Sequence, residues 1–171
     1  NNMPAIDMIA KSLKLFIETP QNIKHINMAF LKQKKIAVHD LQRLLIQAIP
    51  SSFILKDDKK NTKEHQKIYC SYETNNVSRE TLILRPLVLC VGVGCNRGTS
   101  CEDIEDFLFE VLDCEGLSRS SIITFATTEI KKDETGLNQL SEKLGIPMAY
   151  YNKKELNSVK NIKNPSKMVQ K

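Results

Sequence analysis

The chain has 171 residues, enough for one sizeable α/β domain or two small ones. With 41% hydrophobic residues and only six Gly and six Pro it is neither disordered nor low-complexity, and no apolar run approaches the ~20 residues of a membrane helix. The net charge of +5 is uneven: Asn1 to Arg85 carries 14 Lys and Arg against 8 Asp and Glu, whereas Pro86 to Lys171 carries 11 against 12. The lysines are scattered and Trp is absent, so no basic stripe with interleaved aromatics points to nucleic acid. No basic, apolar, small-residue succession marks the N-terminus, and no export signal is expected. Five cysteines without a C-x-x-C pair suit free thiols in a reducing cytoplasm.

In chain order, Pro4 suits the first turn of a helix that runs through Ile6, Ile9, Ala10, Leu13 and Phe16 at helical spacing. Thr19-Pro20 interrupts it, and a second helix follows with Ile23, Ile26, Phe30 and Leu31 as its apolar side. The Met and Phe residues of both helices read as core. Lys35 to Val38 reads as a strand, Leu41 to Ile49 as a short helix stopped by Pro50, and Lys56 to Gln66 as a polar surface loop. Ile68, Cys70 and Tyr72 alternate as a strand, and Thr81 to Leu84 forms another. Arg85-Pro86 marks a boundary. Beyond it come a strand at Leu87 to Val91, a loop at Gly92 to Thr99, a helix at Ser100 to Glu115 and a strand at Ile122 to Ala126. A helix from Thr135 to Leu144 with Gly145 as its stop, a strand at Pro147 to Tyr151, and a short helix at Lys153 to Asn157 capped by Asn152 complete the order. The tail from Val159 with Pro165 is too short to complete a domain. Alternating strands and helices with short connections predict a mostly parallel sheet with right-handed crossovers.

The glycine loop feeds a helix whose Ile104, Phe107, Leu108, Val111 and Leu112 form one apolar stripe. Thr99 and Glu102 have capping-box spacing, and Gly116 suits the C′ position. Unpaired amides at such a helix start, aided by the dipole, favour an anion at the carboxyl edge of the sheet. The dinucleotide fingerprint fails, because Gly92, Gly94 and Gly98 are spaced G-x-G-x-x-x-G and no acid lies at the right distance beyond. The P-loop fails for want of a Lys before Thr99. What remains is a nest of amides with Arg97 at its rim, a combination suited to carboxylates. The alternative is a helix that caps itself, since it carries seven acids and no base, with glycines that serve only as turns.

GVGCNRGTSCEDIEDFL, followed by ATTEIKKDETGLNQLSEKLGIPMAYYNKKELNSV, resembles the C-terminal domain of the cobalamin-biosynthesis family CbiG, a domain shared with CobE. Gly92, Gly94, Cys95, Arg97, Gly98 and Thr99 match its loop motif, and Lys131, Glu134, Gly136 and Leu137 match its second motif. The AIDMIAKSL helix, a proline, and a helix ending in Lys-Lys before a strand resemble CbiG's central region. The resemblance implies two small α/β parts, 1–85 and 86–171, the second a three-layer sandwich around a mostly parallel sheet. Relative to the family, the chain is expected to lack the N-terminal domain and some of the tail.

The implied activity is that of cobalt-precorrin-5A hydrolase, a hydrolase acting on a C–C bond. Water opens the ring-A lactone, acetaldehyde leaves and cobalt-precorrin-5B results. The implied partner is the cobalt-precorrin tetrapyrrole, with a homodimer as an expected assembly. No cofactor is expected, because cobalt arrives within the substrate. Gly92, Gly94, Cys95, Arg97, Gly98, Thr99 and Lys131 are the expected substrate-binding residues. Glu134 stands between a general base for water and a cap for the helix beside it. Rival readings are a non-catalytic precorrin-binding module of CobE type and a nucleotide-binding regulator. No protein-built metal site is expected, since His25, His39 and His65 are dispersed. Cys95 is either a thiolate at a helix start or a small turn residue, while Cys101 and Cys114 read as packing.

Overall fold

Residues 4–55 and 66–160 are described in the computed structural model of the chain. The loop expected at Lys56 to Gln66 therefore lies outside the described residues except for Gln66, as do His65 and the tail from Asn161 with Pro165. By internal contacts the chain divides into two units, Asn1–Leu89 with Leu108–Ile123, and Cys90–Phe107 with Thr124–Lys171.

Helix α1 (Ile6–Ser12) buries Ile6, Ile9 and Ala10; Ala5 is its N-cap, which leaves Pro4 before the first turn rather than in it. It ends sooner than the apolar spacing suggests, because Lys14 turns left-handed at φ 53. Leu15–Ile17 then forms strand β1, which leaves Phe16 exposed. Period alone could not separate Phe16 from the helix, since position 16 fits both readings. In α2 (Ile23–Leu31) the buried residues are Ile26, Ala29 and Phe30, and Leu31 is 77% exposed. Met8 and Met28 are also exposed, contrary to their expected place in the core.

Strand β2 (Ala37–Asp40) leads to α3 (Leu44–Ala48), three residues later than expected. The cause is Asp40, whose carboxylate accepts the amides of Leu44 at 3.1 Å and Ile46 at 2.9 Å, with Arg43 left-handed at φ 57 just before them. Strands β3 (Lys67–Cys70) and β4 (Leu82–Pro86) complete a sheet of order β1-β4-β3-β2. β2, β3 and β4 run parallel, and β1 joins β4 antiparallel.

Side-chain alternation gives this sheet two different faces. Ile68, Cys70, Leu82 and Leu84 enter an apolar core with Ile6, Ile26, Ile36 and Leu45. Each such Ile or Leu side chain contributes about 1.5–3 kcal/mol by burial. The opposite face carries His39, Tyr69 and Arg85. Arg85 is buried, donates to the Ser71 carbonyl at 2.9 Å and the Glu73 carbonyl at 2.7 Å, and pairs with Glu18. Burial pushes the Cys70 thiol up to about 12, with the neighbouring Asp40 carboxylate adding to the effect.

From Leu89 onward strands and helices alternate: β5 (Leu89–Gly92), α4 (Cys101–Cys114), β6 (Ile122–Thr128), α5 (Thr135–Leu144), β7 (Met148–Tyr151) and α6 (Lys153–Ser158). The sheet order is β5-β6-β7, with β6 and β7 parallel. The protein is α/β in class. Helix α4 buries Ile104, Leu108 and Leu112, whereas Phe107 is 68% exposed and Val111 is exposed as well, so its stripe is narrower than the five expected positions. Cys101 is buried, but Cys114 is exposed and does not pack.

Helix ends follow local chemistry closely. Gly116 stands at φ 64, and the Leu117 amide reaches back to the Leu112 carbonyl at 2.8 Å, which closes α4. Gly145, at φ 65, closes α5 in the same way. Asn152 and Glu155 form a reciprocal capping box on α6.

Candidate functional site

The loop between β5 and α4 is shaped by a turn at its far end. The Thr99 hydroxyl donates to the Asn96 carbonyl at 2.9 Å, and Gly98 takes φ 75, a conformation that favours glycine. Helix α4 is then capped by Ser100, not by Thr99. Its hydroxyl oxygen accepts the Asp103 amide at 3.1 Å and its proton goes to the Asp103 carboxylate at 2.7 Å. The capping box expected at Thr99 and Glu102 is thus displaced by one residue, because Thr99 is engaged in the turn. Burial and the Glu102 charge raise the Cys101 thiol, so this helix start does not activate it.

The turn directs the Gly98 amide at Glu134, whose Oε1 accepts it at 2.6 Å. Glu134 occupies the N-cap position of α5, yet its side chain makes no capping bond there. It is 5% exposed, and its other oxygen receives the Lys131 ammonium at 3.3 Å. The Gly98 amide holds its carboxyl below the usual carboxylate range, with Lys131 and Arg97 adding to that effect against the opposing cost of burial. Two donors, one of them charged, keep this buried anion satisfied.

Gly136 explains how the two loops come so close. A Cβ at this position would stand 2.2 Å from the Thr99 carbonyl oxygen and 3.2 Å from Ile104 Cδ1. Only a glycine lets the first turn of α5 rest on the loop backbone. Leu137, the next residue, is fully buried. Lys131, Glu134 and Gly136 therefore act as a single latch on the glycine loop.

Arg97 sits outside that latch. Its guanidinium pairs with Asp133 at 3.1 Å and reaches toward the Ile130 carbonyl at 3.5 Å, with the two charged side chains 65% and 67% exposed. Each partner strengthens the other's charge: Asp133 raises Arg97, and Arg97 lowers Asp133. An exposed pair of this kind contributes only about 0–1 kcal/mol.

The structure thus brings Arg97, Gly98, Lys131 and Glu134 together. The Gly98 amide, which the sequence offered to a ligand carboxylate, already holds one of the protein's own. Gly92 and Gly94 differ from Gly98. Neither is left-handed, and a Cβ at either would meet no atom within 4 Å. The fold itself gives no reason for glycine at these two exposed positions. Cys95, between them and the turn, is half-buried and free. Sequence reading missed Asp133, although an acid two residues beyond a matched Lys is a visible cue. Among the described residues no three His, Cys, Asp or Glu side chains gather as a metal site. Nor is any helix among them long and apolar enough to cross a membrane.

Comparison with known proteins agrees with these motifs. Residues 4–86 match a family model described as the cobalamin biosynthesis central region, and residues 89–171 match one described as the cobalamin synthesis G C-terminus. A cobalt-precorrin-5A hydrolase from Priestia megaterium is 39% identical over 97 residues, which make up 57% of this chain and 26% of that protein. The crystal structure of a cobalamin biosynthesis protein G homolog from Sulfolobus solfataricus aligns with a TM-score of 0.42 at 22% identity, covering 96% of this chain and 49% of that one. The chain accordingly spans about a quarter of the curated relative and about half of the solved one. With its first part matching the central region and its second part the C-terminus, the chain belongs to the cobalamin-biosynthesis protein G family, CbiG.

Proposed function

We propose that this chain is the central and C-terminal part of a cobalt-precorrin-5A hydrolase of cobalamin biosynthesis, and that its Gly92–Thr99 loop meets the substrate's carboxylates. In that reaction water opens the ring-A lactone, a two-carbon unit leaves as acetaldehyde, and cobalt-precorrin-5B remains. Cobalt enters as part of the substrate. Five free thiols suit a reducing compartment, and we assign the reaction to the cytoplasm.

The observation that carries this reading is the pair Gly92 and Gly94, small residues with open space where a side chain would stand. Such positions admit the edge of a large ligand against the backbone. Magnitudes then separate the charged groups. The exposed Arg97–Asp133 pair contributes so little that a substrate carboxylate, bound through two parallel hydrogen bonds, can replace Asp133 on Arg97. Glu134 is buried with both oxygens engaged, so it stays, and Lys131 stays with it. Gly98 and Thr99 contribute the loop's shape, and Cys95 lies beside the approach to the two glycines. Our assignment to the substrate is therefore Arg97 with the Gly92–Cys95 backbone.

A base for water works best with a pKa near the operating pH. Glu134, held below the usual carboxylate range, suits a positioning role better than proton transfer. The same fact favours a second reading, in which this part of the protein holds the corrinoid while the chemistry is done elsewhere.

Purified chain titrated with a cobalt-corrinoid bearing free carboxylates, with NAD and with ATP separates these readings from a nucleotide regulator. Corrinoid binding is expected, and binding of a nucleotide alone would overturn the proposal. Acetaldehyde release from cobalt-precorrin-5A distinguishes hydrolase from holding module. Arg97→Ala is expected to weaken corrinoid binding about ten-fold, the scale of one charge-assisted contact.

A further inference from the structure

On the sheet face opposite the apolar core, three side chains from neighbouring strands line up. Arg85 of β4 lies 5.8 Å from the Tyr69 ring of β3. Tyr69 in turn stacks on His39 of β2, with centroids 4.7 Å apart and ring planes 9° from parallel. β2 ends the sheet order, so the stack stops at its edge with an exposed imidazole. The connection after β3 is tied down beside it: Asn75 donates to the Tyr69 hydroxyl at 2.6 Å, and that hydroxyl donates to the Glu73 carbonyl at 3.3 Å.

Together these elements enclose a groove of about 400 Å³. That volume falls within the range of small-molecule sites, ~300–1,000 Å³. Its lining includes His39, Tyr69, Lys67, Asn76 and Ser78, and none of the described residues that line it is acidic. Lys67 shares a face with Tyr69, two residues along β3, and by register it stands opposite Ala37. A parallel sheet is ordinarily covered by packed helices on both faces. Here the second face bears an aromatic wall and a lysine.

We propose that this groove binds a planar, conjugated ring carrying a carboxylate, with the ring extending the Arg85–Tyr69–His39 stack and the carboxylate on Lys67. Offset stacking of flat rings at this spacing supplies the affinity for the ring. The ammonium, with no acid among the described lining residues, supplies the selection for negative charge. The ring can belong to a small free acid or to one edge of a larger carboxylated tetrapyrrole. Either way the recognition chemistry is the same. The inference stands apart from the function proposed for the Gly92–Thr99 loop, since it uses none of that loop's residues.

Ring-proton NMR of the intact chain tests it, with pyrrole-2-carboxylate, pyrrole-2-carboxamide, inorganic phosphate and a carboxylated cobalt-corrinoid as separate probes. Saturable ring-current shifts at His39 are expected with pyrrole-2-carboxylate, the corrinoid or both. A shift with pyrrole-2-carboxylate identifies a free acid as sufficient, and a shift with the corrinoid alone identifies the tetrapyrrole edge. The carboxamide is expected to bind at least ten-fold more weakly, and phosphate is expected to give no ring-current shift. Lys67→Gln is expected to lower the affinity for pyrrole-2-carboxylate at least ten-fold with an unchanged melting temperature, while Lys153→Gln, at an exposed lysine outside the groove, leaves it alone. No shift at His39 with any ring, or equal binding of acid and amide, or full affinity in Lys67→Gln, would overturn the proposal.

Discussion

Arg85 in the first unit and Glu134 in the second are both buried charged side chains, and they are satisfied in opposite ways. Arg85 in the first is a cation held by two main-chain carbonyls and by Glu18. Glu134 in the second is an anion held by one main-chain amide and by Lys131. Both tie distant segments together, since Arg85 reaches residues 12, 14 and 67 positions away and Glu134 reaches one 36 away. The cation closes a sheet face. The anion closes a loop at a helix start, where a ligand carboxylate was expected to sit. A buried charge is thus a sign of chain topology first. On our proposal the ligand meets what the latch leaves open, namely Gly92, Gly94 and Arg97.

The largest expected effect comes from cutting the first tie. Arg85→Ala leaves two carbonyls and part of Glu18 without their donor, and chemical unfolding should register a loss of about 3 kcal/mol. Gly136→Ala attacks the second tie from its backbone side. The added methyl meets the Thr99 carbonyl, and a loss of about 1–3 kcal/mol is expected in the same measurement. If Gly136→Ala were neutral, the close approach of α5 to the loop would be wrong.

Glu134→Gln sharpens the comparison through pH. A carboxylate whose pKa is lowered by folding adds stability that is present above its unfolded value, ~4.3, and lost as pH falls through the folded value beneath it. The wild type should therefore lose stability on acidification in that window, and the variant should lose less. Equal acid sensitivity would mean that the Gly98 amide and Lys131 do not favour the ionised form.

How far the sequence reached depended on the range of each interaction. Thr135–Leu144 with its Gly145 stop, the Gly116 terminus of α4 and the Asn152 cap were all legible, because caps and stops involve residues three to five apart. Phe16, Leu31, Phe107 and Val111 were misassigned to buried faces. Periodicity reports which residues share a side, not how wide a strip the neighbours cover. The loop and its second motif were both visible as matches, but their interlock was not. Nothing local tells that Glu134 turns from its own helix to the Gly98 amide, or that Gly136 is small on account of Thr99. The aromatic stack of the first unit was equally hidden, since His39 and Tyr69 meet only through strand register.

The most direct test lies with the glycines that the fold does not need. In Gly94→Leu the chain should unfold at the same denaturant midpoint as the wild type, because the new side chain enters empty space. Its affinity for a carboxylated cobalt-corrinoid should nevertheless fall at least ten-fold. An unchanged midpoint with unchanged affinity would contradict the claim that this stretch of backbone is kept bare for the ligand.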